Sequence, residues 1–165
     1  MSDLSSPADS NVCISEWVST VDLVFPNQVN PLGTLFGGRV LELMDINSSI
    51  ACWRFCRMPA VTASTEPVDF RSPVFVGDIV EVQSRVAYAG RSSMIVRTEV
   101  YSENPSKGER KLCTTGHMSF VALGEDKKPR PVPNLRVETD LERRHYEIAK
   151  EVKAGIAKRR EQTIA

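Results

Sequence analysis

The chain has 165 residues, of which 41% are hydrophobic, and this length predicts a single domain with a core of its own. Lysine and arginine together number 21, as do aspartate and glutamate, so the formal net charge is zero. A neutral chain argues against binding nucleic acid or a membrane surface through bulk charge, and we expect neither as a partner. The four cysteines lack the spacing and nearby histidines of a metal site, so no metal is expected. The absence of a secretory h-region and of long apolar runs predicts a cytoplasmic protein.

The first half of the chain predicts a strand and then a long helix. Residues 1–10 are small and polar, which predicts a disordered N-terminus. Residues 13–25 are rich in Val, Ile and Trp and predict the first strand, which turn-forming residues then interrupt. From about Gly37 to Phe55, apolar side chains recur at three- and four-residue spacing, which predicts a helix. Because further apolar residues widen this face, most of the helix should be surrounded by protein.

After Pro59 the hydrophobic period changes to two residues, as in β-strands. Four segments predict strands on this pattern, namely 60–70, 78–90, 91–103 and 111–123. The short connections between them favour antiparallel pairing. One largely apolar helix in this order needs a sheet wrapped around it, which is an α+β arrangement. Such a sheet leaves edges uncovered, so association between copies is expected.

A charged helix is predicted at the C-terminus. Thr139 and Glu142 form a T-x-x-E capping box, and a thin apolar stripe follows them. We expect this helix to pack on the surface of its own subunit or of a neighbour. His145 lies on it among charged residues and is expected to be solvated, whereas the mid-strand His117 is expected to be structural. The predicted organisation is a disordered segment 1–10, a main domain 11–138 and a basic helix 139–165.

Gly37 and Gly38 stand where the long helix begins. Without a Cβ they allow a ligand to approach the backbone closely. The first N–H groups of a helix have no intrahelical partner and carry a partial positive charge, so they suit an oxyanion or a polarised carbonyl oxygen. The alternative interpretation is that the two glycines only permit a tight turn and close packing between helix and sheet.

Asp45 lies about two turns into the same helix, where aspartate is an unfavourable residue. It is either part of a solvated flank or a partly buried carboxylate that serves as general base or nucleophile. Asn30, in the preceding loop, is either a turn former or an amide that holds a water or a substrate carbonyl. The chain contains no G-x-S-x-G, P-loop, G-x-G-x-x-G or HExxH motif, which argues against serine hydrolase, phosphoryl-transfer, dinucleotide and zinc chemistry.

Three stretches in this order resemble the hot-dog-fold acyl-CoA thioesterases of the acyl-CoA hydrolase type: FPNQVNPLGTLFGGRVLELMD, then VTASTEPVDFRSPVFVGDIVEVQSRVAYAGRSSM, then SFVAL with KPRPVP. The resemblance implies a hot-dog fold, with a long central helix wrapped by an antiparallel sheet of five to six strands, plus a C-terminal helix. It implies a homodimer with shared active sites, assembled as a hexamer from three dimers. The implied reaction is hydrolysis of a fatty or short-chain acyl-CoA to the free acid and CoA, with no cofactor.

The resemblance also assigns roles to individual residues. Asp45 matches the catalytic carboxylate, Asn30 matches a loop asparagine used beside it in some members, and Gly37 and Gly38 match the pair whose backbone faces the thioester carbonyl. Many relatives carry a histidine before the two glycines, where this chain has Phe36. Any help from that histidine to substrate binding is therefore absent here.

Substrate-binding positions also match the family pattern. The matching residues are Arg91, Ser92 and Ser93, at the start of a strand along which pantetheine lies in relatives, and Thr62 and Ala63, on a strand near the substrate. Arg54 is a candidate for contact with the CoA phosphates, and an ordinary solvated charge is the alternative.

The mechanism implied by the resemblance polarises the thioester carbonyl on the backbone of Gly37 and Gly38. Asp45, from the partner subunit, activates a water or attacks directly, and Asn30 orients the water or the carbonyl. CoA thiolate leaves readily because its pKa is low compared with that of an alkoxide.

Two other classes are compatible with this fold. One is a non-catalytic acyl-CoA-binding or sensor module, but the short neutral N-terminus offers no DNA-binding segment. The other is a dehydratase, which would require a histidine where Phe36 stands.

Overall fold

The computed structural model describes residues 11–164, which form seven strands and two α-helices. The elements in chain order are β1 (Val12–Cys13), β2 (Val18–Leu23), α1 (Gly37–Cys56), β3 (Ala60–Thr65), β4 (Ile79–Ala89), β5 (Ser93–Asn104), β6 (Glu109–Ala122), β7 (Asn134–Leu135) and α2 (Asp140–Ile164). Five strands form an antiparallel sheet in the order β2-β4-β5-β6-β3, and β1 pairs with β7 in a small parallel sheet. The α+β architecture predicted from the sequence, a long helix wrapped by an antiparallel sheet, is confirmed.

Helix α1 lies in the hollow of the sheet because its apolar side chains recur at helical spacing. Its buried residues are Val40, Met44, Asn47, Ser48, Ala51, Cys52, Phe55 and Cys56. Three fully buried hydroxyls hold the helix to β4 and β5, since Thr98 Oγ1 lies 2.8 Å from Ser48 Oγ and 2.9 Å from Ser84 Oγ. Strand β6 passes so close beneath α1 that a Cβ at Gly116 would overlap Met44 Cε. These contacts fix the height of the helix over the sheet.

Helix α2 packs on the other face of the sheet, through a small cluster that includes Ile95, Ala149 and Ile156. The largely buried pair Arg85 and Glu142 joins it to β4, with the guanidinium nitrogen 2.9 Å from the carboxylate oxygen. The prediction that His145 is solvated is wrong, since only 7% of this residue is exposed. Of the apolar stripe of α2, Val152 and Ile156 pack on the same subunit, whereas Leu141 and Ile148 are about half exposed.

Two strands are shorter than the sequence pattern predicts. The first predicted strand, 13–25, forms the main sheet only over Val18–Leu23. The strand predicted over 60–70 ends at Thr65, because Pro67 has no N–H to continue the ladder after Glu66 donates to the His117 carbonyl. The segment 66–78 then runs as a loop beside the start of α1. The predicted disorder of residues 1–10 lies outside the described residues.

Candidate active site

Asp45 and Thr62 meet between α1 and the edge strand β3. The hydroxyl of Thr62 donates a 2.5 Å hydrogen bond to Asp45 Oδ1. The contact forms because α1 ends at Arg57, which has a φ of 55°, and the chain turns back so that β3 runs beside the helix. Asp45 is half-buried and Thr62 is exposed. The carboxylate is therefore anchored by a neighbouring strand and is more than a solvated flank of the helix.

The start of α1 offers free N–H groups. Phe36 precedes the helix without a side-chain cap, and its carbonyl accepts from the N–H groups of Arg39 and Val40. In the part of the chain that the structure describes, the N–H groups of Gly37 and Gly38 have no backbone acceptor. These two donors, at the positive end of a twenty-residue helix, can hold an oxyanion or a polarised carbonyl oxygen.

The two glycines differ in the space that a Cβ atom would have at each position. A Cβ on Gly37 would lie 3.3 Å from the Phe70 ring, so close packing accounts for this glycine. A Cβ on Gly38 would meet no described atom within 4 Å, and Gly38 is not among the residues with positive φ. Glycine inside a helix costs about 1 kcal/mol relative to alanine. Neither packing within the described chain nor backbone conformation requires glycine at position 38.

Asn30 shapes the loop that leads to the two glycines. Its Oδ1 accepts from the N–H groups of Leu32 at 2.9 Å and Thr34 at 3.2 Å, while its Nδ2 donates to Thr34 Oγ1 at 2.8 Å. The turn is completed by Gly33, which has a φ of 74°. Asn30 therefore acts as a turn former in this chain, and one of its two amide hydrogens is left over for a further acceptor.

Asp45 and the N–H groups of Gly37 and Gly38 do not converge within one subunit. Seven or eight residues separate them, which corresponds to about 11 Å along the helix axis. A thioester carbonyl bound at the glycines would lie beyond hydrogen-bond reach of this Asp45 or of a water bound to it. Within one chain, the Asp45 carboxylate and these two N–H groups therefore cannot act on the same carbonyl group.

The predicted substrate-binding residues lie in separate places. Ala63 sits at a break in the β3–β6 register, so β3 carries a bulge directly after Thr62. Arg91, Ser92 and Ser93 form the β4–β5 turn, where the carbonyls of Arg91 and Ser92 accept from Val132 and Ala122. Ser93 pairs with Val121 on β6, whereas Thr114, seven residues earlier on β6, lies beside Gly37. The turn and the start of α1 are therefore about 24 Å apart in one subunit.

Arg54 lies near the far end of α1, roughly 25 Å from Gly37 along the helix. It is exposed and lines a cavity of 340 Å³ together with Trp17 and Arg57. Among the described residues, neither Arg54 nor Arg57 forms an ion pair. Arg54 is thus available to an anion but lies apart from Gly37 in its own subunit.

A second cavity, of 310 Å³, opens beside Gly37 and was not predicted from the sequence. Leu35, Val40, Val74, Cys113 and Thr114 form its buried walls, and Phe70 lies at its rim. Its residues come from three separate segments of the chain, 34–40, 70–74 and 113–114. No local pattern in the sequence marks them as neighbours.

Other nucleophiles and ligands are poorly placed. Burial raises the pKa of the Cys52 thiol well above its usual value, so this cysteine is not a thiolate nucleophile. Burial, with Arg97 nearby, lowers the pKa of His117 to about 4, and its side chain lies on the face of the sheet away from α1. Within residues 11–164 no three His, Cys, Asp or Glu side chains form a metal-binding group. Over the same residues, no helix has the length and apolar character needed to cross a membrane.

Comparisons of this chain with a family model and with known proteins point to the same family. Residues 32–109 match the model of the thioesterase superfamily. An uncharacterized acyl-CoA thioester hydrolase of Bacillus subtilis is 40% identical over 134 residues, which cover 81% of this chain and 78% of the relative.

Solved structures agree with this match. An apo-hexameric acyl-CoA thioesterase superimposes with a TM-score of 0.86 at 38% identity, covering 90% of this chain and 97% of the other. An acyl-CoA hydrolase of Staphylococcus aureus, solved in complex with butyryl-CoA and CoA, superimposes with a TM-score of 0.82 at 34% identity, covering 90% and 92%. That enzyme has also been solved with one aspartate, one threonine or one asparagine replaced by alanine. The chain therefore belongs to the thioesterase superfamily, among the acyl-CoA thioester hydrolases with a hot-dog fold.

Proposed function

We propose that this chain hydrolyses acyl-CoA to a free acid and CoA, in an active site shared between two subunits. The proposal rests on two complementary features of α1, its first N–H groups and Asp45, which lie apart within one chain. The N–H groups of Gly37 and Gly38 can hold a carbonyl oxygen, and Asp45 lies about 11 Å further along the helix. Two helices related by a dimer axis can bring the Asp45 of one subunit to the helix start of the other.

The edge strand β3 supports this dimer. Within residues 11–164 it pairs with β6 alone, so its other edge is open to a second copy. Three large apolar side chains on β3 and the adjoining part of α1 are about half exposed in the single chain, namely Ile46, Trp53 and Val61. Exposed apolar area of this kind on an oligomer-forming family is expected to be covered by the partner. We further propose that three such dimers form a hexamer, as in the hexameric relative.

In the proposed reaction, Asp45 removes a proton from a water as its oxygen attacks the thioester carbon. The oxyanion of the tetrahedral intermediate accepts hydrogen bonds from the Gly37 and Gly38 N–H groups of the other subunit. The C–S bond then breaks, the acid is released, and the CoA sulfur leaves as a thiolate. Because a thiol has a pKa of about 8.5, this leaving group needs no strong acid and no cofactor.

Spacing along the chain supports the choice of residues. In the S. aureus hydrolase, the altered asparagine, aspartate and threonine are separated by fifteen and seventeen residues. Asn30, Asp45 and Thr62 have the same two separations here. We propose that Asn30 places the second amide hydrogen on the water or the carbonyl, and that Thr62 holds Asp45 in position. For Arg91, Ser92 and Ser93, with Ala63 and Arg54, we propose contacts to the pantetheine and phosphates of CoA.

Release of free thiol from butyryl-CoA tests the proposal, with wild type, Asp45→Ala and Glu42→Ala measured side by side. Glu42 lies on the same helix and is exposed, which makes it a matched control for loss of a carboxylate. Wild type and Glu42→Ala should turn over, and Asp45→Ala should lose kcat by about a hundredfold or more with little change in KM. Binding of butyryl-CoA by the wild type without turnover would instead indicate a sensor module.

A further inference from the structure

We infer that the cavity beside Gly37 receives the acyl chain and sets the upper limit of chain length; this inference rests on the proposed function. The cavity measures 310 Å³, and Gly37, which supplies one of the two carbonyl-binding N–H groups, is part of its wall. A carbonyl held at the start of α1 has the first carbons of its acyl chain at the mouth of this cavity. A carbonyl bound there does not fix the place of any other group of the substrate.

Three of the polar side chains that line the cavity are engaged by the protein, whereas Arg71, which is exposed, and Ser72, which is half-buried, also line it. Thr114 Oγ1 donates to the Asp69 carbonyl at 2.7 Å, and Cys113 Sγ lies 3.2 Å from Ser102 Oγ. The Thr34 hydroxyl accepts from Asn30 Nδ2. With these groups engaged, the buried surface that remains for a ligand is mainly that of Leu35, Val40 and Val74, which are 8%, 4% and 4% exposed. An apolar chain can replace water there without leaving a buried polar group unpaired.

The volume of the cavity predicts the longest acyl chain that it can hold. A 150 Å³ apolar cavity holds one benzene molecule, which has six carbon atoms. A cavity of 310 Å³ therefore corresponds to about ten to twelve carbon atoms on the same scale. Each methylene that enters should tighten binding by about threefold to fourfold, and methylenes beyond the limit should add little.

Val74 is the position at which this limit can be moved. It is buried in the wall of the cavity, on a loop outside the sheet. Val74→Ala enlarges the cavity and should extend the limit by about two carbons, whereas Val74→Phe should shorten it by several. Val100→Ala is the matched control, because Val100 is equally buried in the core but does not line the cavity.

The test measures dissociation constants for butyryl-, octanoyl-, dodecanoyl- and palmitoyl-CoA by calorimetry, on Asp45→Asn protein so that no substrate is consumed. The ratio of the palmitoyl to the butyryl constant does not depend on how much of a variant is folded. We expect affinity to rise up to about twelve carbons and then level off. The ratio should change in opposite directions in Val74→Ala and Val74→Phe and stay within twofold of the parent in Val100→Ala.

A ratio that both Val74 substitutions leave unchanged, or that Val100→Ala changes as much, would overturn the inference. This outcome is distinct from failure of the proposed function. That function fails if the wild-type chain releases no thiol from any of the four substrates, whatever the binding constants show.

Discussion

Thr62 on the edge strand and Asp45 in the middle of the long helix share a 2.5 Å hydrogen bond, although seventeen residues separate them. The bond links β3, one of the two edge strands of the main sheet, to the carboxylate proposed to activate water. Because Thr62 donates, its hydroxyl fixes the orientation of Asp45 and leaves the second carboxylate oxygen for a water. Thr62 is therefore proposed as a positioning residue.

Substitutions of Thr62 should distinguish an effect on the orientation of Asp45 from an effect on substrate binding. We expect Thr62→Val to lower kcat by about tenfold to a hundredfold with little effect on KM, because a misplaced base costs rate rather than affinity. Thr62→Ser keeps the hydroxyl and should retain most of the activity. Steady-state kinetics on acyl-CoA measure both variants. Equal losses in Thr62→Val and Thr62→Ser would show that the methyl group, not the hydroxyl, is what matters.

Gly38→Ala should lower activity without lowering stability. Alanine at this position meets no described atom and should stabilise the helix by up to about 1 kcal/mol, as measured by urea unfolding at fixed protein concentration. The same methyl group would stand where the carbonyl oxygen approaches the N–H, so kcat/KM should fall at least tenfold. Full activity in this variant would remove the assigned role from the start of α1.

Stability should fall as the pH drops from about 6.5 to 4, through His117. Burial and the Arg97 charge lower the pKa of His117 to about 4 in the folded chain, whereas in the unfolded chain it titrates near its usual 6.5. In this window the unfolded state binds the proton and the folded state does not, so the free energy of unfolding decreases by on the order of 2 to 3 kcal/mol. Below about pH 4 both states are protonated and the contribution levels off.

His117→Gln should flatten that part of the pH profile, because it removes the titrating group and keeps a side chain of similar size. Urea unfolding between pH 7 and pH 4.5 measures the difference. A His117→Gln profile as steep as that of the wild type would assign the pH dependence to other groups, such as His145, whose pKa burial also lowers.

The sequence predicted the elements whose signals are local. The three- and four-residue spacing of apolar side chains located α1 from Gly37 to within a residue of its end at Cys56, and the two-residue alternation located β4, β5 and β6. The burial of His145 was not predictable in this way. Its neighbours along α2 are charged, and it is buried only because this side of α2 packs on Trp17 and the outer face of the sheet.

The features of the candidate site also fall into two groups, those with a local signal in the sequence and those without one. Residues that share one helix, such as Asp45 and Gly38, were proposed as site residues from the sequence and its family resemblance, and these assignments stay predictions. The bond from Thr62 to Asp45 required the return of β3 along α1, and the cavity beside Gly37 required residues as distant as Leu35 and Cys113. Such contacts depend on the tertiary fold and have no signature in a short window of sequence.

A subunit-mixing experiment tests the shared active site most directly. Asp45→Asn and Asn30→Ala chains, each inactive alone, are unfolded together, refolded at equal amounts and assayed on butyryl-CoA. Half of the dimers would then pair unlike chains, and one of the two sites in each such dimer would be intact. With a shared active site, the mixture should therefore show about a quarter of wild-type activity. A mixture that stays as inactive as either variant alone would show that each subunit uses its own Asp45 and Asn30, contrary to the proposal.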